Sequence, residues 1–251
     1  MSGYNIRIFQ NPNELADAAA RKIYHITKTV TLGNKSIDIA VSGGNTPRPL
    51  YSLLAKEPYK SSIPWQKMHI FWCDERCVPL SHPDSNYGQI KSLLLDEVQI
   101  SDDNIHPILC EVNATLAAMD YENIICEHFS YPQKSPIFDI VVLGMGEDGH
   151  TLSLFPGEIH QDEKLKMVIA ASANYQNRPS DRITLTPRLV NYAKNIIFLV
   201  SGKEKAQALN SMFKKPSDPI RNPAQRINPV NGSVFWFIDK EAASQLDFQI
   251  L

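Results

Sequence analysis

A glycine-rich stretch with two carboxylates and a histidine is the part of this sequence best equipped for chemistry. Residues 143–157 read LGMGEDGHTLSLFPG, and they follow the run FDIVVL at 138–143, which is typical of a buried strand. Ligands bind at the loops that follow the strands of open α/β sheets. Because histidine exchanges protons near neutral pH, His150 could act as an acid or base, and Asp148 could orient its ring. We predict that both residues are catalytic.

The same stretch matches the dinucleotide fingerprint G-x-G-x-x-G at Gly144, Gly146 and Gly149. We favour a different interpretation. The acidic residues of the turn, Glu147 and Asp148, would repel a pyrophosphate. Any helix that opened here would also meet a Pro-Gly pair within about two turns, which is short for a crossover helix. The pattern therefore indicates a strand followed by a catalytic loop.

A second glycine loop, SGGNTP at 42–47, follows the strand predicted at 37–41. Glycines let the backbone approach a ligand closely, and the free N–H groups of a helix start attract phosphate. Thr46 could cap that helix, with Pro47 in its first position. The Walker pattern is not matched, because no Lys-Ser/Thr follows a second glycine. On spacing alone, an anion site and a tight turn without ligand are equally compatible with this loop.

Charged residues after two further predicted strands are candidates for substrate binding. Asp74, Glu75 and Arg76 follow the strand at 67–73. Arg76 could hold an anion and Asp74 could accept from sugar hydroxyls, although three adjacent charges are more often simply solvated. Lys205 lies near a predicted helix start, where a bound anion would offset the unfavourable helix dipole. A solvated lysine is the alternative there.

Strands and helices alternate along the chain. Apolar runs predict strands at 6–9, 37–41, 67–73, 105–108, 138–143, 167–171, 182–187, 195–200 and 234–238, with helices between most of them. This alternation predicts an α/β fold, with a mostly parallel Rossmann-like sheet covered by helices on both faces. No composition break divides the chain, so we predict a single domain over residues 1–251.

Composition limits the possible partners. The formal net charge of −2 does not indicate general affinity for nucleic acid or anionic membranes. No apolar run approaches the ~20 residues of a membrane span, and no secretory leader is apparent. We therefore expect a cytoplasmic protein. The four cysteines lack the spacing of a zinc site and are predicted to be free thiols.

Seven motifs, in order, extend over nearly the whole chain. They are SGGNTP at 42–47, WCDERCVP at 72–79, HPDSNYG at 82–88, LGMGEDGHTLSLFPG at 143–157, RITLTP at 182–187, GKEKA at 202–206 and PAQRINPVNGSVFWFIDKEAA at 223–243. Together they closely resemble the 6-phosphogluconolactonase family. The resemblance implies a fold similar to glucosamine-6-phosphate deaminases, hydrolysis of 6-phospho-D-glucono-1,5-lactone, and no metal or organic cofactor. The implied partner is therefore a small phosphorylated sugar lactone, with the protein a monomer or small homo-oligomer.

Within this resemblance, His150 would activate water with support from Asp148. The substrate-binding residues would be Ser42, Gly43, Gly44, Asn45, Thr46, Asp74, Arg76, Arg182 and Lys205. The competing interpretation is a deaminase. Deaminases usually carry Asp-Glu-Tyr where this chain has Asp-Glu-Arg at 74–76, and Asn-Glu-Pro where it has Leu-Phe-Pro at 154–156. The missing carboxylate at Phe155 and the arginine both favour the lactonase. A non-catalytic sugar-phosphate sensor on the same fold is the third alternative.

Overall fold

The computed structural model describes residues 5–32, 35–110, 113–157, 159–174, 178–214 and 216–246. The strands are β1 (Asn5–Phe9), β2 (Ile37–Val41), β3 (Met68–Trp72), β4 (Asp74–Arg76), β5 (Ile105–His106), β6 (Ile140–Gly144), β7 (Val168–Ser172), β8 (Asp181–Leu185), β9 (Asn195–Val200) and β10 (Ser233–Asp239). The helices are α1 (Pro12–Val30), α2 (Arg48–Leu54), α3 (Tyr59–Ser62), α4 (Asn86–Leu93), α5 (Ala114–Phe129), α6 (Pro187–Val190) and α7 (Ala206–Phe213). Short 3₁₀ turns include Lys203–Lys205, Pro223–Arg226 and Ala242–Gln245.

Seven strands form one parallel sheet in the order β1-β10-β9-β6-β2-β3-β5. β2 and β6 are neighbours, and the chain leaves them in opposite directions, since β3 lies beyond β2 and β9 lies beyond β6. The strands are apolar because both faces of the sheet are covered, and β6, β9 and most of β10 are buried. The predicted α/β class with a mostly parallel sheet is confirmed.

The remaining three strands form a second, antiparallel sheet in the order β4-β8-β7. We predicted β7 and β8 as strands but not their separate sheet. The chain changes sheets at Cys73, whose N–H donates to Val41 of the first sheet while its carbonyl accepts from Leu185 of the second, both at 2.8 Å. Side chains alternate between the two faces of a strand, so Asp74 and Arg76 lie on one side of β4 and Glu75 lies on the other.

Local signals set the helix boundaries. The Asn11 side chain caps α1 by accepting from the N–H of Glu14 at 3.0 Å, and Pro12 occupies the first turn, as predicted. The prediction for the loop at 42–47 was wrong by one residue. Pro47, rather than Thr46, takes the cap position of α2, with no side-chain cap, because a turn closed by the N–H of Arg48 on the carbonyl of Asn45 precedes the helix.

The cysteines differ from prediction. Cys77 and Cys110 are joined by a disulfide with Cα atoms 4.7 Å apart, so the prediction of four free thiols was wrong for this pair. A separation of 33 residues gives no spacing signal, whereas the fold brings the end of β4 beside the segment that follows β5. Cys73 and Cys126 are free thiols, as predicted.

Parts of three predicted connections, residues 111–112, 175–177 and 215, lie outside the described residues, as do residues 1–4 and 247–251 at the ends of the predicted domain. Within the described ranges, none of the helices combines the length and apolar character needed to cross a bilayer.

Candidate active site

A cavity of about 230 Å³ opens where the chain leaves β2 and β6. Ligands of open α/β sheets bind at such a topological switch point, where the connections from two neighbouring strands run in opposite directions. Ten of the eleven predicted site residues line this cavity, namely Ser42, Gly43, Gly44, Asn45, Thr46, Asp74, Arg76, His150, Arg182 and Lys205. The eleventh, Asp148, contacts the ring of His150.

The loop after β6 holds His150 and Asp148 together. Nδ1 of His150 lies 2.6 Å from Oδ1 of Asp148, and the same oxygen accepts from the backbone N–H of His150 at 3.1 Å. The turn closes through the N–H of Gly146 on the carbonyl of His150 at 2.8 Å. Gly149 has φ +86°, which favours glycine. Among the described residues, no α-helix lies between this turn and β7, in agreement with our rejection of the dinucleotide interpretation.

The electrostatics of this pair favour an ionised aspartate. Burial by itself raises the pKa of Asp148, but the hydrogen bonds and charge of His150 outweigh it, so the pKa lies below its ordinary value. A charged carboxylate on Nδ1 fixes the tautomer and the orientation of the ring. The arrangement can therefore take up and release a proton.

Phe155 packs against the imidazole. The ring centroids of His150 and Phe155 are 4.5 Å apart with an interplanar angle of 31°. The guanidinium carbon of Arg182 lies over the ring of Phe155, 5.5 Å from its centroid, in a cation–π contact. An apolar ring, rather than a carboxylate, thus separates the imidazole from the arginine.

Two arginines lie side by side on adjacent strands of the second sheet. Arg76 of β4 and Arg182 of β8 are paired in register, although like charges directly opposite are destabilising. Arg182 is only 3% exposed, and its Nε and Nη2 have no hydrogen-bond partner among the described residues. Burial lowers the pKa of Arg182, and the charges of Arg76 and Arg178 lower it further against the opposing effect of Asp74. A bound anion would relieve both the repulsion and the unmet hydrogen bonds.

Because side chains alternate along β4, the three charged residues Asp74, Glu75 and Arg76 do not all face the cavity. Asp74 accepts from the Ser153 hydroxyl at 2.7 Å and lines the cavity. Arg76 donates to Oδ1 of Asn86 at 2.7 Å and also lines it. Glu75 points away and accepts the first N–H groups of α4, from Asn86 at 2.7 Å and Tyr87 at 2.8 Å. Glu75 therefore anchors a helix, whereas its two neighbours face the cavity.

The loop at 42–47 approaches the cavity closely. A Cβ on Gly43 would lie 2.0 Å from Oδ1 of Asn86, and Gly44 has φ +96°. The carbonyl of Ser42 is held by the hydroxyl of the buried Tyr51 at 2.6 Å. Glycine is therefore required at 43 for space and favoured at 44 by conformation.

Lys205 reaches the cavity from the 3₁₀ turn after β9. The buried carboxylate of Asp239 holds this connection by accepting from the Ser201 hydroxyl at 2.6 Å and from the Gly202 N–H at 3.2 Å. Glu204 of the same turn also lines the cavity.

Several lining residues were not predicted as site residues. They include Asn86, Glu147, Arg178 and Glu204. Glu147 was noted only as part of the acidic turn. Arg178 stands in a polar segment without periodicity, and nothing in the local sequence distinguishes it from a solvated arginine. Among the described residues, the side chains grouped closely enough to share a metal ion lie outside this cavity.

Comparison with known proteins places the chain in a family. Residues 10–236 match the family model described as glucosamine-6-phosphate isomerases/6-phosphogluconolactonase. The chain belongs to this family. A Haemophilus influenzae member named 6-phosphogluconolactonase is 38% identical over 213 residues, which cover 85% of this chain and 89% of the relative. The resemblance inferred from the seven motifs is confirmed.

Solved structures of family members superpose closely. The Trypanosoma cruzi structure named 6-phosphogluconolactonase has a TM-score of 0.83 and 31% identity, covering 98% of each chain. A structure named as a monomeric glucosamine-6-phosphate deaminase has a TM-score of 0.81 at 20% identity, covering 96% of this chain and 99% of its own. The latter likeness shows the fold alone, and it confirms the predicted similarity to the deaminase fold.

Proposed function

We propose that this protein hydrolyses 6-phospho-D-glucono-1,5-lactone to 6-phospho-D-gluconate, the second step of the oxidative pentose phosphate pathway. The relatives named 6-phosphogluconolactonase support the substrate. The observation that carries the chemistry is an aspartate-held imidazole on the same cavity as two opposed arginines. A proton-transfer group and an anion site are what a phosphorylated lactone requires.

In this mechanism His150 acts as general base. Because Asp148 engages Nδ1, proton transfer falls to Nε2. The imidazole removes a proton from water as the water oxygen bonds to the C1 carbonyl, and the carbonyl electrons move onto oxygen. Backbone N–H groups of the glycine loops would stabilise that oxyanion. The C1–ring oxygen bond then breaks, and His150 returns the proton to the departing oxygen. Asp148 stabilises the imidazolium between the two transfers.

The phosphate would be bound by Arg182, Lys205 and the loop at 42–46. Arg182 offers buried guanidinium N–H groups without a partner among the described residues, a geometry suited to phosphate oxygens. Arg76 and Arg178 add positive charge on the same cavity. Binding a remote dianion supplies energy that positions the reacting carbon. Asp74, fixed by Ser153, would accept from a sugar hydroxyl.

The deaminase alternative is disfavoured by Phe155. Deaminases usually carry a carboxylate at this position, where it forms part of the proton relay through which the histidine opens the sugar ring. In this chain an apolar ring packs against His150 instead. We also propose one domain over residues 1–251, a cytoplasmic location without nucleic-acid partners, and a monomer or small homo-oligomer. The net charge of −2 supports the absence of nucleic-acid partners.

The test is a coupled assay. Glucose-6-phosphate dehydrogenase generates the lactone in place, and 6-phosphogluconate dehydrogenase reports its opening. Because the lactone also opens unaided, rates are compared with a blank lacking the protein. We expect acceleration by the wild type, loss of about 10²–10⁴-fold in His150→Ala, and wild-type rates in His25→Ala, a control at an exposed helix position. No acceleration over the blank would reject the lactonase, and a fully active His150→Ala would reject the proposed base.

A further inference from the structure

A cluster of three histidines lies away from the catalytic cavity. His69 is the second residue of β3, His106 ends β5, and His128 lies in the last turn of α5. His69 precedes the cavity residue Asp74 by five positions, which at ~3.3 Å per residue is roughly 16 Å along the extended chain. We propose that these three histidines form a binding site for a divalent transition-metal cation, with Zn²⁺ as the best match.

The geometry suits a metal with nitrogen ligands. Nδ1 of His69 and Nε2 of His106 are 3.2 Å apart. With Zn–N distances of 2.0–2.1 Å, two ligand nitrogens of a tetrahedral site are about 3.3–3.4 Å apart. One ligand atom from each of the three histidines lies within 4.8 Å of the others. Two strands and a helix therefore bring three imidazoles close enough to hold one ion after a small adjustment of the side chains.

The cluster is open to solvent. All three side chains are partly exposed, so an ion can reach them from solvent.

Asp38 supplies a supporting carboxylate. Its Oδ1 lies 2.7 Å from Nε2 of His128, and Asp38 is the register partner of His69 on β2. Carboxylates that hydrogen-bond to metal-binding histidines fix the ring and raise its affinity for the metal. The negative charge also favours a cation at the cluster.

Aromatic packing alone does not explain the arrangement. Phe71 stacks on His106 with centroids 4.2 Å apart and an interplanar angle of 19°, and Phe138 adjoins Phe71 at 5.3 Å. Phenylalanine would fill such a cluster without the cost of burying polar nitrogens. Histidine adds ring nitrogens directed at one another and at Asp38. A bound ion would tie the two-residue edge strand β5 to β3 and α5, so its expected effect is on stability.

The first experiment uses the full chain after removal of metals with a chelator. Co²⁺ is titrated in as a spectroscopic probe, followed by displacement with Zn²⁺. We expect the visible absorption of tetrahedral Co²⁺, its loss on adding Zn²⁺, and a rise in melting temperature of roughly 5 °C at Zn²⁺ about 100-fold above its Kd. The titration is repeated in His150→Ala, so that any Co²⁺ bound at His150 is distinguished from Co²⁺ bound at the three-histidine cluster.

Variants then locate the site. His106→Phe keeps an aromatic ring against Phe71 but removes a ligand, and we expect it to abolish Co²⁺ absorption while retaining lactone hydrolysis. Asp38→Asn should weaken binding about 10- to 100-fold. His25→Phe, at an exposed position of α1, is the matched control and should bind as the wild type does. Absence of Co²⁺ binding in the wild type, or unchanged binding in His106→Phe, would overturn the proposal, and neither result bears on the lactonase.

Discussion

Gly146→Ala tests the proposed catalytic pair, His150 and Asp148, without altering either side chain. A Cβ at Gly146 would lie 2.1 Å from Nδ1 of His150 and 2.5 Å from Oδ1 of Asp148. Real Cβ contacts essentially never fall below 3.0 Å, so the imidazole must move by at least 3.0 − 2.1 = 0.9 Å. The hydrogen bond of 2.6 Å between the two side chains cannot persist unchanged through such a shift.

The displacement sets the expected magnitude. A misplacement of about 1 Å in a catalytic group can cost about 10²-fold in rate. We therefore expect kcat to fall about 100-fold, equivalent to about 2.7 kcal/mol of transition-state stabilisation. KM should change little, because Arg182 and Lys205 are carried by other segments. The loss must not exceed that of His150→Ala, which removes the group entirely.

The coupled lactone assay, corrected for spontaneous opening, measures kcat and KM, and a thermal melt checks the fold. Gly144→Ala is the matched control two residues away, since a Cβ there meets nothing within 4 Å. Gly144 borders the cavity, so this variant can alter KM, but its kcat should stay within a few-fold of wild type. A Gly146→Ala enzyme with kcat within about threefold of wild type would refute the proposed position of the imidazole. A loss larger than that of His150→Ala would refute its role.

Two further predictions concern the arginine and the buried glutamate. Arg182→Gln should raise KM about 10- to 100-fold with a smaller change in kcat, because it removes charge-assisted bonds to phosphate. The control is Arg188→Gln, at an exposed position. Equal KM values in the two variants would show that Arg182 does not bind the phosphate. For Glu75, burial raises the pKa despite four hydrogen bonds to its carboxylate. Its contribution to stability is therefore complete below the unfolded value of 4.5 and is lost as pH rises through the folded pKa. Denaturant unfolding should show wild type losing stability relative to Glu75→Gln as pH increases above 4.5, and a pH-independent difference would contradict this.

The strands and the proposed catalytic loop were predictable because their signals are local. Apolar runs mark β6 and β9, and side chains that follow parallel strands must gather at one edge of the sheet. The loop at 143–157 carries its glycines, its acid and its base within a few residues. Sequence spacing was therefore sufficient to select His150 and Asp148 as candidates.

Features that depend on long-range pairing were not predictable. The Cys77–Cys110 disulfide and the separate antiparallel sheet arise because distant segments meet. The register of Arg76 opposite Arg182 supports the proposed anion site over solvated charges, and it is set by strands about a hundred residues apart. The histidine cluster is similarly invisible in the sequence, since no regular spacing relates its three members.

The pairing of β1 with β10 has a consequence for synthesis. In the described part of the sheet, β1 is hydrogen-bonded to β10 alone, and α1 also packs against β10. On a ribosome, residues 5–9 must therefore wait until residues 235–239 have been made. At ~5–20 residues per second, this delay is roughly 10–50 s. The first strand to be made is thus among the last to be paired. The polar Arg7 at its centre makes this waiting strand a poorer template for aggregation with other nascent chains.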